Sequence, residues 1–427
     1  VGAAVESVPP ARWDLLLACV AIYIATAVGR VHQLFPALEP LKPTLVSAML
    51  AVGLLALQQR GSRNVFRVRS ATTTCALGFL LWIALSVPGA LNQGVAFQVL
   101  TDGLKTIVMF AVIAGAVRSV RDVERLALTY FAATAIYGAV VLTRFQLGGS
   151  GVDDWRLGHL YNYDANDFAT LIATAMPLGL YFVLGVRRPL LRLVAAFGLA
   201  ILAVCEIRSG SRGGLLALLA VSAFVLLRFT TIPARSRVLG LAVVLAIVFG
   251  TASDRYWEQM QTVLNPHEDY NVTAETGRVQ IWKRGLGYMS DHPVLGVGAG
   301  NFQVAEGTLS PMARRAEYGV GVRWGAAHNS FVQVGAELGV PGLLLFLGAI
   351  VSALVALRRT ARWALRAGAK DIAVSGLAQS LMAALVGFMV GGFFLSLGYS
   401  DMLYALVALA VGLHKIVLLD RGVQWSS

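Results

Sequence analysis

Charge is scarce in this chain. Only 14% of its 427 residues are Asp, Glu, Lys or Arg, where a soluble domain carries about a quarter. Cysteine is scarcer still. Cys19, Cys75 and Cys205 lie far apart in apolar runs and match no metal-ligand spacing, so they read as packing residues. Also missing are a phosphate-binding GxxxxGK[ST] loop, an HExxH zinc site, a GxSxG elbow and an Asp-x-Asp pair in a polar loop; Asp153 and Asp154 are simply adjacent. Nucleotide-driven and metal-dependent chemistry therefore gain no support, and no cofactor is expected. Acidic residues number 23 against 35 basic ones, a net charge of +12. In a chain that is 57% hydrophobic, that excess is explained by basic residues collecting on cytoplasmic connections rather than by nucleic acid.

What the chain has in quantity is long apolar runs. Its mean hydropathy is +0.69, and runs of about 18 or more apolar residues recur without the alternation of a membrane barrel. The reading is an all-α polytopic membrane protein with about twelve transmembrane helices. The expected spans are roughly 13–33, 41–58, 73–91, 95–117, 123–144, 166–186, 190–207, 213–229, 237–252, 331–357, 372–396 and 399–418. The first apolar run is long and no small-residue cleavage site follows it, so an uncleaved first span is expected. Residues 1–252 then hold nine spans, 253–330 form one long polar loop domain, and 331–427 hold three more.

Arginines set the orientation. Arg60, Arg63, Arg67 and Arg69, then Arg118, Arg121 and Arg125, then Arg187, Arg188 and Arg192 fall on alternate connections. Arg228, Arg235 and Arg237, then Arg358, Arg359, Arg362, Arg366 and Lys370 continue the series. That side is cytoplasmic by the positive-inside rule, and 253–330 faces the opposite compartment.

The loop domain reads as folded. Arg255 to Leu264 forms an amphipathic helix with Tyr256, Met260 and Val263 on one side, and a second helix runs from about Thr276 to Met289, stopped by Pro293. Gly296, Gly298 and Gly300 mark a turn-rich stretch without the strand context of a dinucleotide site. The tenth span is interrupted at Gly339-Val340-Pro341-Gly342, so that Asn329 to Leu338 make a half-helix and Pro341 starts the true span.

Four polar stretches gather on the face of the long loop. In Ala327-His328-Asn329-Ser330-Phe331, Ser330 and Gln333 fit a capping box. His328 then stands just outside a helix N-terminus, which favours a neutral ring able to accept a proton. The alternative is a histidine hydrogen-bonded in an interfacial loop. In Arg208-Ser209-Gly210-Ser211-Arg212-Gly213-Gly214, Arg212 opens a helix where a cation is unfavourable without an anion nearby. With Arg208, the glycines and free N–H groups, this is an anion site suited to phosphate, or else arginines snorkelling to headgroups. Arg278 and Trp282 share a helix face beside Lys283 and Arg284 and suit a pyrophosphate and a sugar ring; a core tryptophan on a solvated helix is the alternative. Arg156-Leu157-Gly158-His159 with Asn162, Asp164, Asn166 and Asp167 reads as positioning or capping. Within span four, Asp102 and Lys105 are functional charges or a mutual ion pair.

In order, Ser211-Arg212-Gly213-Gly214, Gly277-Arg278 through Trp282 to His292-Pro293-Val294-Leu295-Gly296-Val297-Gly298, and His328-Asn329-Ser330-Phe331 with Glu337-Leu338-Gly339-Val340-Pro341-Gly342 resemble the O-antigen ligase and Wzy polymerase superfamily. The Arg156-to-Asn166 stretch is similar too. The resemblance covers roughly residues 150–345. It implies a GT-C-type glycosyltransferase of the bacterial inner membrane, its active site and long helical loop in the periplasm. The implied donor is an undecaprenyl-diphosphate-linked glycan. For an O-antigen ligase, the member the single long loop favours, the acceptor is a sugar hydroxyl of lipid A–core. Carried over, Arg212 and Arg278, with Arg208 beside them, bind the diphosphate, His328 activates the acceptor hydroxyl, and Arg156, Asn166, Trp282, Arg284 and Asn329 position substrate, without metal and with inversion. A Wzy-type polymerase and a PglL-like protein O-oligosaccharyltransferase share the donor and these motifs. A lipid or polysaccharide transporter is disfavoured by the lack of a half-to-half repeat.

The charge pattern yields a topology test. In a background lacking the three cysteines, cysteines placed within 253–330 are expected to react with a membrane-impermeant thiol reagent in intact spheroplasts. Labelling of the 60–70 connection instead overturns the orientation.

Overall fold

The computed structural model describes residues 13–58, 63, 70–144, 156–157, 163–185, 188–263, 265, 270–311, 313, 325–368 and 372–420. His159 and Asn162 of the polar entrance, Asp153 and Asp154, and the basic residues Arg60, Arg67, Arg69, Arg187 and Lys370 lie outside them. The described residues are all-α. A helix stands at each of the twelve expected spans: α1 Leu15–Ala27, α2 Pro43–Leu57, α3 Ala71–Ser86, α4 Gln93–Ala116, α5 Val120–Arg144, α6 Ala165–Leu184, α7 Pro189–Ser209, α8 Arg212–Arg228 and α9 Ala234–Thr251. Four shorter helices, α10 Asp254–Gln261, α11 Tyr270–Thr273, α12 Arg278–Asp291 and α13 Phe302–Thr308, lead to α14 Ser330–Ala367, α15 Ile372–Gly392 and α16 Asp401–Asp420.

Nine helices among the described residues are long and apolar enough to cross a membrane. The helices α1, α3 and α8 are shorter, at 13, 16 and 17 residues. The first was expected to reach residue 33. It stops at Ala27, and two 3₁₀ turns, Val31–Leu34 and Pro36–Leu41, follow. Two features explain the early end. Gly29 packs so tightly on Ala133 that no side chain fits there, and Arg30 takes a left-handed backbone (φ 49°).

The centre of the bundle is α6, α15 and α16: α15 packs on both of the others, and together they pack on α4, α5, α7, α8 and α14. The last of these, α16, is buried along nearly its whole length, whereas α2 and α9 are peripheral. On the arginine-rich side, Arg63 and Arg118 both pair with Asp14, and Arg118 and Arg125 pair with the fully buried Asp122 at 3.2 and 3.3 Å. Burial works against the Asp14 carboxylate, but the Leu17 N–H and the two guanidiniums hold its pKa below the usual value. The Lys415 ammonium donates to the carbonyls of Ala114, Gly115 and Val117, left over at the end of α4. In span four, Asp102 and Lys105 form a mutual ion pair at 2.8 Å.

In the loop domain, α10 ends at Gln261, short of the expected Leu264. Tyr256 and Met260 face inward, but Val263 lies past the end and is 40% exposed. The second loop helix runs two residues later than read from sequence, Arg278–Asp291.

The tenth span is broken as the Gly-Val-Pro-Gly pattern predicts. Gly339 (φ 67°, ψ −171°) is non-helical inside α14, and Pro341 sits at the start of the second part. The break is also a docking point. Val297 N–H and Gly298 N–H donate to the carbonyls of Ala336 and Glu337, Val340 N–H to that of Pro293, and the Trp82 indole N–H to that of Leu338 at 3.0 Å. A Cβ on Gly339 would stand 2.5 Å from the Pro293 oxygen. Gly339→Ala therefore combines a left-handed backbone with a collision, and is expected to cost about 1–3 kcal/mol. A lowered unfolding temperature in detergent, with faster proteolysis of 278–302, checks this; unchanged values for both contradict the close approach.

Candidate functional site

The connection 393–400 between α15 and α16 gathers the sequence motifs. Ser396 Oγ accepts the backbone N–H of His328 at 2.9 Å. Ser330 Oγ donates to Leu395 O and accepts from Leu397 N–H, and Gln333 Oε1 accepts from Gly398 N–H. Phe393 lies edge-on to Trp282, with ring centroids 5.2 Å apart. Phe394 packs on Gly213, where a Cβ would be 3.0 Å from its own Cβ. The start of α8, the first half of α12 and the start of α14 therefore meet around one short segment.

Each of these helices opens on a residue singled out from sequence. Arg212 is the first residue of α8, capped by the Ser211 hydroxyl, which accepts from Gly214 N–H at 3.1 Å. Arg278 is the first residue of α12, after Gly277. Both residues stand at the positive end of a helix. Gly210, with φ 57°, ends α7 and lets the chain turn directly into α8. Arg212 Nη1 donates to Thr262 Oγ1 at 2.6 Å, and Gln259 Nε2 to Gly210 O at 2.8 Å, so the end of α10 clamps the loop. Arg156 joins it from the other side: its Nε donates to Ser209 O at 2.9 Å and its Nη2 to Asn166 Oδ1 at 3.4 Å. Leu157 N–H donates to Arg208 O at 2.8 Å, while the Arg208 side chain is half-buried. Arg156, Leu157 and Asn166 are thus tied to the 208–214 loop.

His328 precedes α14 and is half-buried, with φ 47°. A non-glycine residue in this region carries strain of roughly 1–3 kcal/mol, which the surroundings must hold in place. The helix cap differs from the expected capping box. Asn329, not Ser330, is the cap, its Oδ1 accepting from Phe331 N–H and Val332 N–H at 2.9 and 3.1 Å. Ser330 and Gln333 bind the 393–400 connection instead, because buried carbonyls and N–H groups there need partners.

Three expected positioning residues are committed within the protein. Asn329 is the cap. Trp282 donates its indole N–H to Ala327 O at 3.0 Å, joining α12 to the residue before His328. Arg284 pairs with the buried Glu306 at 2.6 Å, and Tyr288 donates to the same carboxylate at 2.8 Å. Donating to Glu306 raises the Arg284 pKa, while burial and then Glu306 raise that of Tyr288.

Two groups were missed from sequence. Arg30 Cζ lies 5.2 Å over the Tyr163 ring, within electrostatic reach of Asp167 and Asp401, and Tyr163 donates to Val28 O at 2.7 Å. Burial pushes the Tyr163 hydroxyl up to about 12 despite Arg30. Arg30 lay inside the expected first span, but nothing in the sequence tied it to Tyr163. Glu206 carried a signal: it is an ionisable residue inside an apolar span. Both its carboxyl oxygens are buried without a hydrogen-bond partner among the described residues, under Gly214, where a Cβ would collide with Oε1. No group of three or more His, Cys, Asp or Glu among the described residues is arranged to hold a metal ion.

Residues 197–347 match the family model Wzy_C, described as O-antigen ligase. The matched stretch takes in Arg208, Arg212, Arg278 and His328. No curated protein matches the chain.

An unpartnered buried carboxyl costs about 1–3 kcal/mol relative to an apolar group of similar size. Glu206→Met is accordingly expected to raise the unfolding temperature of the purified protein. A clear drop would mean that the carboxyl has a stabilising partner.

Proposed function

We propose that this chain, a multi-pass membrane protein with an O-antigen ligase family domain, is an inverting, metal-independent O-antigen ligase. In this reading it transfers an undecaprenyl-diphosphate-linked polysaccharide to a sugar hydroxyl of lipid A–core, on the periplasmic side of the bacterial inner membrane. The observation that carries the proposal is the meeting of α8, α12 and α14 around 393–400, with Arg212, Arg278 and His328 at their N-terminal ends. Two arginines at positive helix ends together favour an anion, and a diphosphate fits that preference.

In the reaction the acceptor oxygen attacks the anomeric carbon from the side opposite the diphosphate. The bond from that carbon to the phosphate oxygen breaks, and its electron pair leaves on undecaprenyl diphosphate. Arg212 and Arg278, with Arg208 beside them, stabilise the growing charge in place of a divalent ion. The acceptor proton passes to a ring nitrogen of His328, whose place before a helix N-terminus favours the neutral ring. Arg156 and Asn166 hold the 208–214 loop in position.

The donor's prenyl chain has a place to begin. An apolar cavity of about 390 Å³ lies between α6, α7, α8 and α9, lined by Met176, Leu180, Leu199, Leu218, Val221 and Val244 among others. It starts about 9 Å below Arg212 along α8. The first isoprene units fit there, and the rest of the chain lies in the bilayer.

Purified variants assayed with a lipid-linked donor test the roles. Arg212→Lys is expected to be poor, because a point charge does not replace the bidentate fork. His328→Ala is expected to lose about 10²–10⁴ in turnover while still binding donor, and to lose the acidic limb of the pH profile. Near-wild-type turnover in His328→Gln removes the base assignment, full activity in Arg212→Ala or Arg278→Ala removes that arginine, and a requirement for added divalent metal removes the arginine mechanism. In a deletion strain, lipopolysaccharide without any capped material but with lipid-linked polymer retained supports the ligase. Core plus one repeat points to a polymerase, and loss of protein glycosylation alone to an oligosaccharyltransferase.

A further inference from the structure

At the end of the bundle opposite His328, the start of α5, the end of α6 and the starts of α7 and α15 enclose a cavity of about 380 Å³. Arg121, Arg125 and Arg188 line it, with Glu124 as the single acidic residue. Glu124 is engaged by the Tyr181 hydroxyl, which donates to it. Arg125 pairs with Asp122 at 3.3 Å and lies 5.2 Å over the Trp13 ring. Arg121 and Arg188 are exposed, and neither has a carboxylate partner among the described residues. Arg63 and Arg118 on the same side share Asp14. Positive charge is therefore balanced around the cavity and left over within it.

We propose that this cavity binds the headgroup phosphate of an anionic phospholipid. Basic pockets between helix ends at a membrane interface recognise such headgroups. Two features favour a lipid over a free phosphate ester. Leu128, Phe182 and Leu191 form apolar walls beside the arginines, and the site lies at the ends of four helices long and apolar enough to cross a membrane. The Arg121 and Arg188 guanidiniums take the phosphate oxygens, Arg125 adds a fixed positive charge, and the apolar walls receive the start of the acyl chains. The site is separate from the proposed transfer reaction and does not depend on it.

The full chain, delipidated in detergent, is titrated with phosphatidylglycerol or phosphatidylcholine and examined by native mass spectrometry. Retention of one phosphatidylglycerol in preference to phosphatidylcholine is expected. Arg121→Gln and Arg188→Gln should each weaken it about fivefold, and together about 30-fold. The double Lys variant should keep most of the binding, which separates charge from misfolding. Equal retention by wild type and the double Gln variant overturns the site. Displacement by millimolar glycerol phosphate overturns the lipid assignment in favour of a soluble phosphate ester. A double Gln variant that loses phosphatidylcholine to the same extent has lost bulk lipid contact, and also overturns the proposal.

Discussion

The carboxyl group of Glu337 joins three stretches that are remote in sequence. It accepts from Gly300 N–H at 2.9 Å, from Phe302 N–H at 3.2 Å and from the Tyr399 hydroxyl at 2.6 Å. The first two bonds hold the loop domain onto the half-helix before Gly339. The third holds that half-helix to the connection on which His328, Trp282 and Gly213 rest. Burial beside this carboxyl raises the Tyr399 hydroxyl well above its usual range, keeping it a donor. An acceptor-only group serving three donors suits a place where chain turns leave N–H groups without helical partners.

The same constraint explains which sequence signals were readable. His292-Pro293-Val294-Leu295-Gly296-Val297-Gly298 and Glu337-Leu338-Gly339-Val340-Pro341-Gly342 look like separate motifs in the chain. In the fold they are two sides of one contact, since a Cβ on Gly296 would strike the Glu337 backbone and one on Gly339 the Pro293 oxygen. The glycines are needed for close backbone approach, so composition alone marked them. The spans were legible because apolar length is dictated by the bilayer. The kink was legible because proline and glycine leave few backbone choices.

Side-chain partners were less legible. Ser330 and Gln333 have the types and spacing of a capping box, yet Asn329 caps and both others bind 393–400. Spacing describes neighbours along one helix and is blind to a connection some 65 residues away. Trp282 and Arg284 had the chemistry of sugar and phosphate binding, but their bonding capacity is taken by Ala327 and Glu306. Arg30, remote in sequence from Tyr163, had no local pattern to reveal it. Local chemistry lists what a side chain is able to bind; only the fold decides whether a protein partner reaches it first.

The residues at the meeting of α8, α12 and α14 share an unfavourable placement. Arg212 and Arg278 add positive charge to positive helix ends, His328 holds a left-handed backbone, and Glu206 lies buried beneath the Arg212 turn without a hydrogen-bond partner among the described residues. Other charged groups have identified partners: Arg63 pairs with Asp14, Arg284 with Glu306, and Lys415 donates to three carbonyls. Departures from local rules therefore gather in this region. Each departure costs stability in the free protein. For the arginines, an anion bound at the helix ends reverses the sign, because the same positive potential then becomes attractive. Binding of the proposed diphosphate here would therefore be coupled to local stability.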